Sequence, residues 1–258
     1  MDPTTRRGLL ASAGAGVAVL AGCAGGRNDP SGYPVRRLSV GETATTDDGA
    51  AVTVGTPRLR TSVVVDQHTS PVGAAAERQW IVVDVTVDGA GDGPGPRFRA
   101  LTDGRPVEGR SAPLRPDFHP AASGRPVGVP VPVAPADSAA VAWVRGLPES
   151  VLWTLPKAVV SGLDAAAAFR VERVAVSDGT DPRLTLTVRN EGDRDGTFHA
   201  NVAGSQVQDG NAIVGFDVPA GRTVTRRKRP GIVAPRGEAT RVTVDWGTGE
   251  RALVVRPS

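Results

Sequence analysis

The chain has 258 residues and a formal net charge of +3; 40% of its residues are hydrophobic and 4% aromatic, with 32 Gly, 22 Pro and one Cys. So small a charge excludes a nucleic-acid reader, which needs a concentrated basic footprint. The hydrophobic content excludes disorder throughout, and the lone cysteine excludes an internal disulfide.

The first element is an apolar run, Gly8 to Gly22, rich in Ala, Gly, Val and Leu and preceded by Arg6 and Arg7. It falls short of the ~20 residues a membrane-crossing helix needs, and glycine dilutes it further. Thr5-Arg6-Arg7-Gly8-Leu9-Leu10 resembles a twin-arginine export signal, and Leu20-Ala21-Gly22-Cys23 resembles a lipobox. The resemblance implies removal of residues 1–22 and lipidation of Cys23, and so a protein anchored on the extracytoplasmic face of the cell membrane. Two acyl chains, at about 0.8 kcal/mol per buried methylene, hold such a protein where one would be marginal. Loss of Asp2, Arg6 and Arg7 leaves the mature chain near +2. Lysine occurs only at Lys157 and Lys228, an arginine bias that points to a GC-rich genome and makes a halophilic archaeon one candidate source. The near-neutral balance argues against that source, because proteins in saturating salt carry an acidic excess.

Residues 23–35 hold Cys23 and an aperiodic run of Gly, Asn, Asp, Pro and Ser that reads as a flexible tether. Beyond it, apolar residues alternate in short runs: Val52 and Val54; Ile81, Val83, Val85 and Val87; Val129, Val131 and Val133; Val141 and Trp143. Period two predicts strands, and residues 36–148 read as a first β-sandwich domain. The Trp80–Val87 run is expected to be a central strand covered chiefly on one side, with Asp84 and Thr86 on the other face. From Asp88 to Gly128, glycine and proline interrupt every run, which predicts loop with short edge strands and the first place to seek a ligand.

Residues 149–168, with Pro156 and Ala165 to Ala168, read as a connector and the one place where a helical turn fits. Residues 169–258 alternate again at Phe169 and Val171, Leu184, Leu186 and Val188, Phe198, Ala200 and Val202, and Val242, Val244 and Trp246. They predict a second antiparallel β-sandwich. The run Leu186-Thr187-Val188-Arg189-Asn190-Glu191-Gly192, followed by Gly196-Thr197-Phe198, resembles the strand-turn-strand signature of immunoglobulin-like domains on prokaryotic surface proteins. The first domain is similar more loosely, through Gly41-Glu42-Thr43 and the Trp80 strand, and it has Asp88-Gly89 where such domains place an asparagine. An echo links Val133-Ala134-Pro135 before Trp143 with Val233-Ala234-Pro235 before Trp246. The resemblance implies an all-β chain of two immunoglobulin-like sandwiches used in adhesion, assembly or presentation, with no catalytic residues.

Candidate chemistry is sparse. His68, His119 and His199 are the only histidines, none has a ligand partner at metal spacing, and His199 is expected on a solvent face beside the inward Phe198. No metal and no cofactor is therefore expected, and a blue-copper centre lacks its thiolate once Cys23 is acylated. Glu191 to Gly196 opens like a calcium loop but has Val202 where the bidentate glutamate belongs, so a hairpin turn is expected. No Gly-x-Ser-x-Gly elbow occurs. Arg226, Arg227, Lys228 and Arg229 form the only dense charge; they could touch an anionic surface, although a split pair on an edge strand is the favoured reading.

The sequence thus predicts a non-catalytic, lipid-anchored interaction or structural module, held to the membrane through Cys23 and meeting an envelope component. Its rival is an accessory or solute-binding lipoprotein of a transporter or redox complex, with its ligand in the Asp88–Gly128 loops or near Trp143 and Trp153.

Overall fold

The computed structural model describes residues 35–45, 49–69, 71–89, 97–143, 150–179, 181–207, 210–232 and 238–256. The signal segment, Cys23, the tether up to residue 34 and the Val233-Ala234-Pro235 echo lie outside the described residues. The first half holds β1 (Val35–Ser39), β2 (Thr43–Thr45), β3 (Ala51–Val54), β4 (Arg58–Arg60), β5 (Val63–Val64), β6 (Val72–Gly73) and β7 (Arg78–Asp88). It continues with β8 (Phe98–Thr102), β9 (Arg105–Pro106), β10 (Ala112–Pro113), β11 (Arg125–Pro132), β12 (Ala139–Trp143), β13 (Ser150–Thr154) and the short helix α1 (Lys157–Val160). The second half holds β14 (Phe169–Val176), β15 (Leu184–Asn190), β16 (Gly196–Ala203), β17 (Asn211–Val218), β18 (Thr223–Lys228), β19 (Thr240–Asp245) and β20 (Glu250–Val255).

The chain is all-β and builds two sandwiches. In the first, a sheet of order β1-β13-β12-β8-β9 faces one of order β10-β11-β7-β3-β2, with β4 also paired to β7. Their inner faces bury Ile81, Val83, Phe98, Val129, Val141 and Trp153 in one core. Trp153 is fully buried, lies edge-on to Phe98 at 6.3 Å, and donates its indole N–H to Glu42 O at 2.9 Å. In the second, β14-β15-β18 faces β17-β16-β19-β20 around Phe198, whose ring meets Phe169 edge-on at 5.6 Å and Phe216 at 5.4 Å. One pair departs from the antiparallel expectation: β1 runs parallel to β13.

Three boundaries differ from the sequence reading. The strand β13, expected in the connector, is central to the first sandwich, and Leu155, Val160 and Leu163 belong to the same core. The link between sandwiches therefore shortens to residues 164–168. Secondly, β7 is covered on both faces. Val82 packs with Val63, Val65 and Leu114, and Asp84, 2% exposed, accepts bonds from Arg58 Nη2 at 2.6 Å and from Ala122 N at 2.9 Å. The covering comes from the β5–β6 hairpin and the β10–β11 region, contacts remote in sequence that a period-two pattern does not encode. Thirdly, β8 within the expected loop is a core strand, carrying Phe98 at 2% and Ala100 at 1% exposure.

Candidate functional site at the junction of the two sandwiches

Alternation along β16 sends Phe198, Ala200 and Val202 into the second core and turns Thr197, His199 and Asn201 to the opposite face. That face is not solvated. His199 is 3% exposed and Asn201 7% exposed, because the segment around β5 and β6 of the first sandwich lies against them. The expectation of a solvent-facing His199 is thus corrected: the partner surface is supplied by residues 137 positions away. Gly215 on β17 completes the fit, since a Cβ there would stand 3.0 Å from the imidazole Cδ2 of His199.

Ser62 Oγ donates to Thr197 O at 2.9 Å and lies 2.8 Å from His199 Nδ1. A hydroxyl has one proton, so its gift to Thr197 makes Nδ1–H of His199 the donor in the second bond. His119 comes from the Asp88–Gly128 segment, and its Nε2 accepts the Val64 N–H at 2.8 Å, which assigns its proton to Nδ1 as well. The two imidazole rings stand 5.4 Å apart, and Phe118 meets His199 edge-on at 6.1 Å. Burial pushes His119 down to about 3, with further lowering from His199, Arg60 and Arg58. Burial, then Arg60, lowers His199 to about 4 against the opposing effects of Asp217 and Ser62. Both imidazoles are neutral near pH 7.

These bonds fix the chemistry available. A serine beside a histidine suggests a nucleophile and its base, but here both groups are buried and Ser62 already serves two partners across the junction. Neither imidazole has a third ligand for a metal: no group of three His, Cys, Asp or Glu side chains converges among the described residues. Among the described residues, one buried side-chain atom lacks a hydrogen-bond partner, Asn201 Oδ1, while its Nδ2 donates to Thr69 O at 3.1 Å.

Two clefts lie between the sandwiches. A cleft of about 340 Å³ is lined by Arg60, Gln79, Arg194, Asp195 and Asp217. Another of about 670 Å³ is lined by Ser62, Glu77, Asp164, Phe169, Asp193 and Trp246. Trp143 and Trp153, the tryptophans the sequence put beside a ligand, lie in the first core instead; Trp246 is the one that reaches a cleft. Arg194 closes the link from below, donating to Gly162 O at 2.7 Å.

Asn190 is the residue that sequence reasoning quoted without assigning work to it. It is fully buried and satisfies all four of its bonds: Nδ2 to Arg194 O and Val218 O, Oδ1 from Ala168 N and Gly192 N. The turn it organises carries the chain from β15 in one sheet to β16 in the other, so it is a sheet-crossing arch and not the expected hairpin. Two of its acids are held by residues outside the turn. Glu191 meets Arg170 at 3.0 Å, and Asp195 accepts the Ala220 N–H at 2.9 Å.

The basic run falls on β18, an edge strand bonded to β15. Arg226 and Lys228 stand opposite Leu186 and Leu184, on the inward side of the sheet, whereas Arg227 stands opposite Thr185 on the outward side. Arg229 pairs with Asp181 at 2.8 Å. The candidate lipid and export residues, Cys23, Arg6, Arg7, Leu20, Ala21 and Gly22, lie outside the described residues. No protein-family model matches the chain, and no curated protein is significantly similar to it.

Proposed function

We propose that this chain is a lipid-anchored, extracytoplasmic, non-catalytic protein whose two sandwiches, read as immunoglobulin-like, present one interaction surface at the envelope. The observation that supports the non-catalytic part is the use of the junction imidazoles. His199 is bonded to Ser62 across the junction, and His119, packed against the His199 ring, holds the Val64 N–H within the first sandwich, so the groups best suited to proton transfer are tied up in packing. The address rests on the Arg6-Arg7 and Leu20-Ala21-Gly22-Cys23 pattern. No helix among the described residues is long and apolar enough to cross a membrane, so an anchor at Cys23 would be the means of attachment in this reading.

Fractionation of cells tests the proposal. Cys23→Ser is expected to move the protein from the membrane to the medium or to stop its processing, and Arg6→Lys with Arg7→Lys to retain it inside. Unchanged membrane association of the cysteine variant contradicts the anchor. The second reading, an accessory lipoprotein that holds a small solute, is favoured by the 670 Å³ cleft with its Trp246 and Phe169 wall. Its mark would be a solute that raises the melting temperature of the protein but not of its Trp246→Ala variant.

A further inference from the structure

The outward face of the β14-β15-β18 sheet is a lattice of arginine and threonine. Cross-strand register places Arg170 opposite Arg189, Arg173 opposite Thr187, Thr187 opposite Thr225, and Thr185 opposite Arg227. Arg183 and Arg229 extend the same face by alternation, and Asp181 reaches both, at 3.7 and 2.8 Å. Six guanidiniums thus share one face with three carboxylates, Asp181, Glu172 and Glu191. That face therefore carries a surplus of three positive charges.

Arrangement matters more than the count. Arg170 and Arg189 are like charges directly opposite, an unfavourable pairing that Glu191 relieves from 3.0 and 4.0 Å. Arg173 and Arg227 have no carboxylate within ion-pair distance among the described residues and stand on opposite edge strands, about 12 Å apart by strand spacing and rise. Both are exposed, and Thr187 and Thr225 continue the Arg173 row across the sheet, their hydroxyls bonded to each other at 3.0 Å. Guanidiniums present several N–H donors in a fork suited to phosphate oxygens.

We propose that this face rests against a bilayer rich in anionic phospholipid, with Arg173 and Arg227 each taking a headgroup phosphate. The proposal builds on the lipid-anchor reading. A small charge surplus spread over an open sheet is a weak binder by itself, and tethering turns its attachment into an intramolecular step. An open face without a groove suits a plane of headgroups better than a single peptide, and the surplus is far below what a polyanion reader carries. Only Arg227 and Arg229 of the basic run take part, because Arg226 and Lys228 turn to the other side.

Full-length, unacylated Cys23→Ser protein is mixed with phosphatidylcholine vesicles that contain or lack phosphatidylglycerol, and the bound fraction is measured by sedimentation at low salt. Arg173→Gln with Arg227→Gln is expected to weaken the phosphatidylglycerol-dependent binding about tenfold or more. Arg173→Lys with Arg227→Lys should retain much of it. Arg99→Gln with Arg105→Gln, equal in charge but on exposed positions of the first sandwich, should leave it within about twofold. Equal loss in the two glutamine pairs, or binding indifferent to phosphatidylglycerol, overturns the proposal. So does displacement by inorganic phosphate at matched ionic strength, which would make the face a site for the free anion. Because the protein is unacylated throughout, a failure here is distinct from a failure of the anchor, which is read from the mass of residue 23.

Discussion

The two junction histidines give this protein a built-in acid sensitivity. An unfolded histidine titrates near 6.5, whereas His119 and His199 hold their protons only below about 3 and 4 in the folded chain. The unfolded state therefore binds more protons below pH 6.5. Stability is complete above that value and falls as pH drops toward 4, by roughly 2 kcal/mol for each histidine at pH 5. Chemical denaturation at pH 7.5 and pH 5 should show that loss, and His119→Gln with His199→Gln should flatten the profile while lowering stability at neutral pH. An equal pH dependence in the double variant would contradict the assignment. Asn190→Asp leaves Arg194 O and Val218 O without their donors and places a charge in a fully buried site. It is expected to cost about 3 kcal/mol or more, measured as a fall in the denaturation midpoint at constant slope.

The residues of this junction were only partly legible. Asn190 stood in the recognised strand-turn-strand run, and a polar residue ending an apolar strand before glycine is a fair signal of a turn that needs its amide. Ser62, His119 and His199 carry none, since each sits in a different segment and their bonds, His119 to Val64 and His199 to Ser62, span 55 and 137 positions.

Strands were the most legible features, because a half-buried strand writes its period into the sequence. Ile81 to Val87, Leu184 to Val188 and Val242 to Val244 all appear where alternation put them. Where a strand is covered on both faces or contributes few residues, the signal fades. That is why alternation alone makes β7 one-sided and β13 a connector, and why glycines and prolines hide the core strand β8. The arch between β15 and β16 offers a sharp test at this scale. A Cβ on Gly192 would stand 2.1 Å from Ala166 O and 2.6 Å from Ala168 N, both backbone atoms of the link between sandwiches. Gly192→Ala should therefore destabilise the protein by about 3 kcal/mol through displacement of that link. Calorimetry that found the variant as stable as the parent would show that the arch and link need not touch.

At the scale of the molecule, the described chain begins at β1, which is held in register along its full length by β13, a strand with its tryptophan in the first core. From β13 the chain passes through α1 and a short link into the second sandwich, where Asn190 takes the Ala168 N–H. Hydrogen bonds from Ser62 and Asn201 then tie the sandwiches together beside the Phe118 and His119 rings. Among the described residues Val254 is the one large hydrophobic side chain that is exposed.

The account stands or falls on residue 23. Intact-mass and peptide mass spectrometry of the protein purified from its native membranes should find a chain that begins at Cys23 and carries the added mass of lipid on that residue. A chain that retains residues 1–22, or one whose Cys23 is a free thiol, would contradict it.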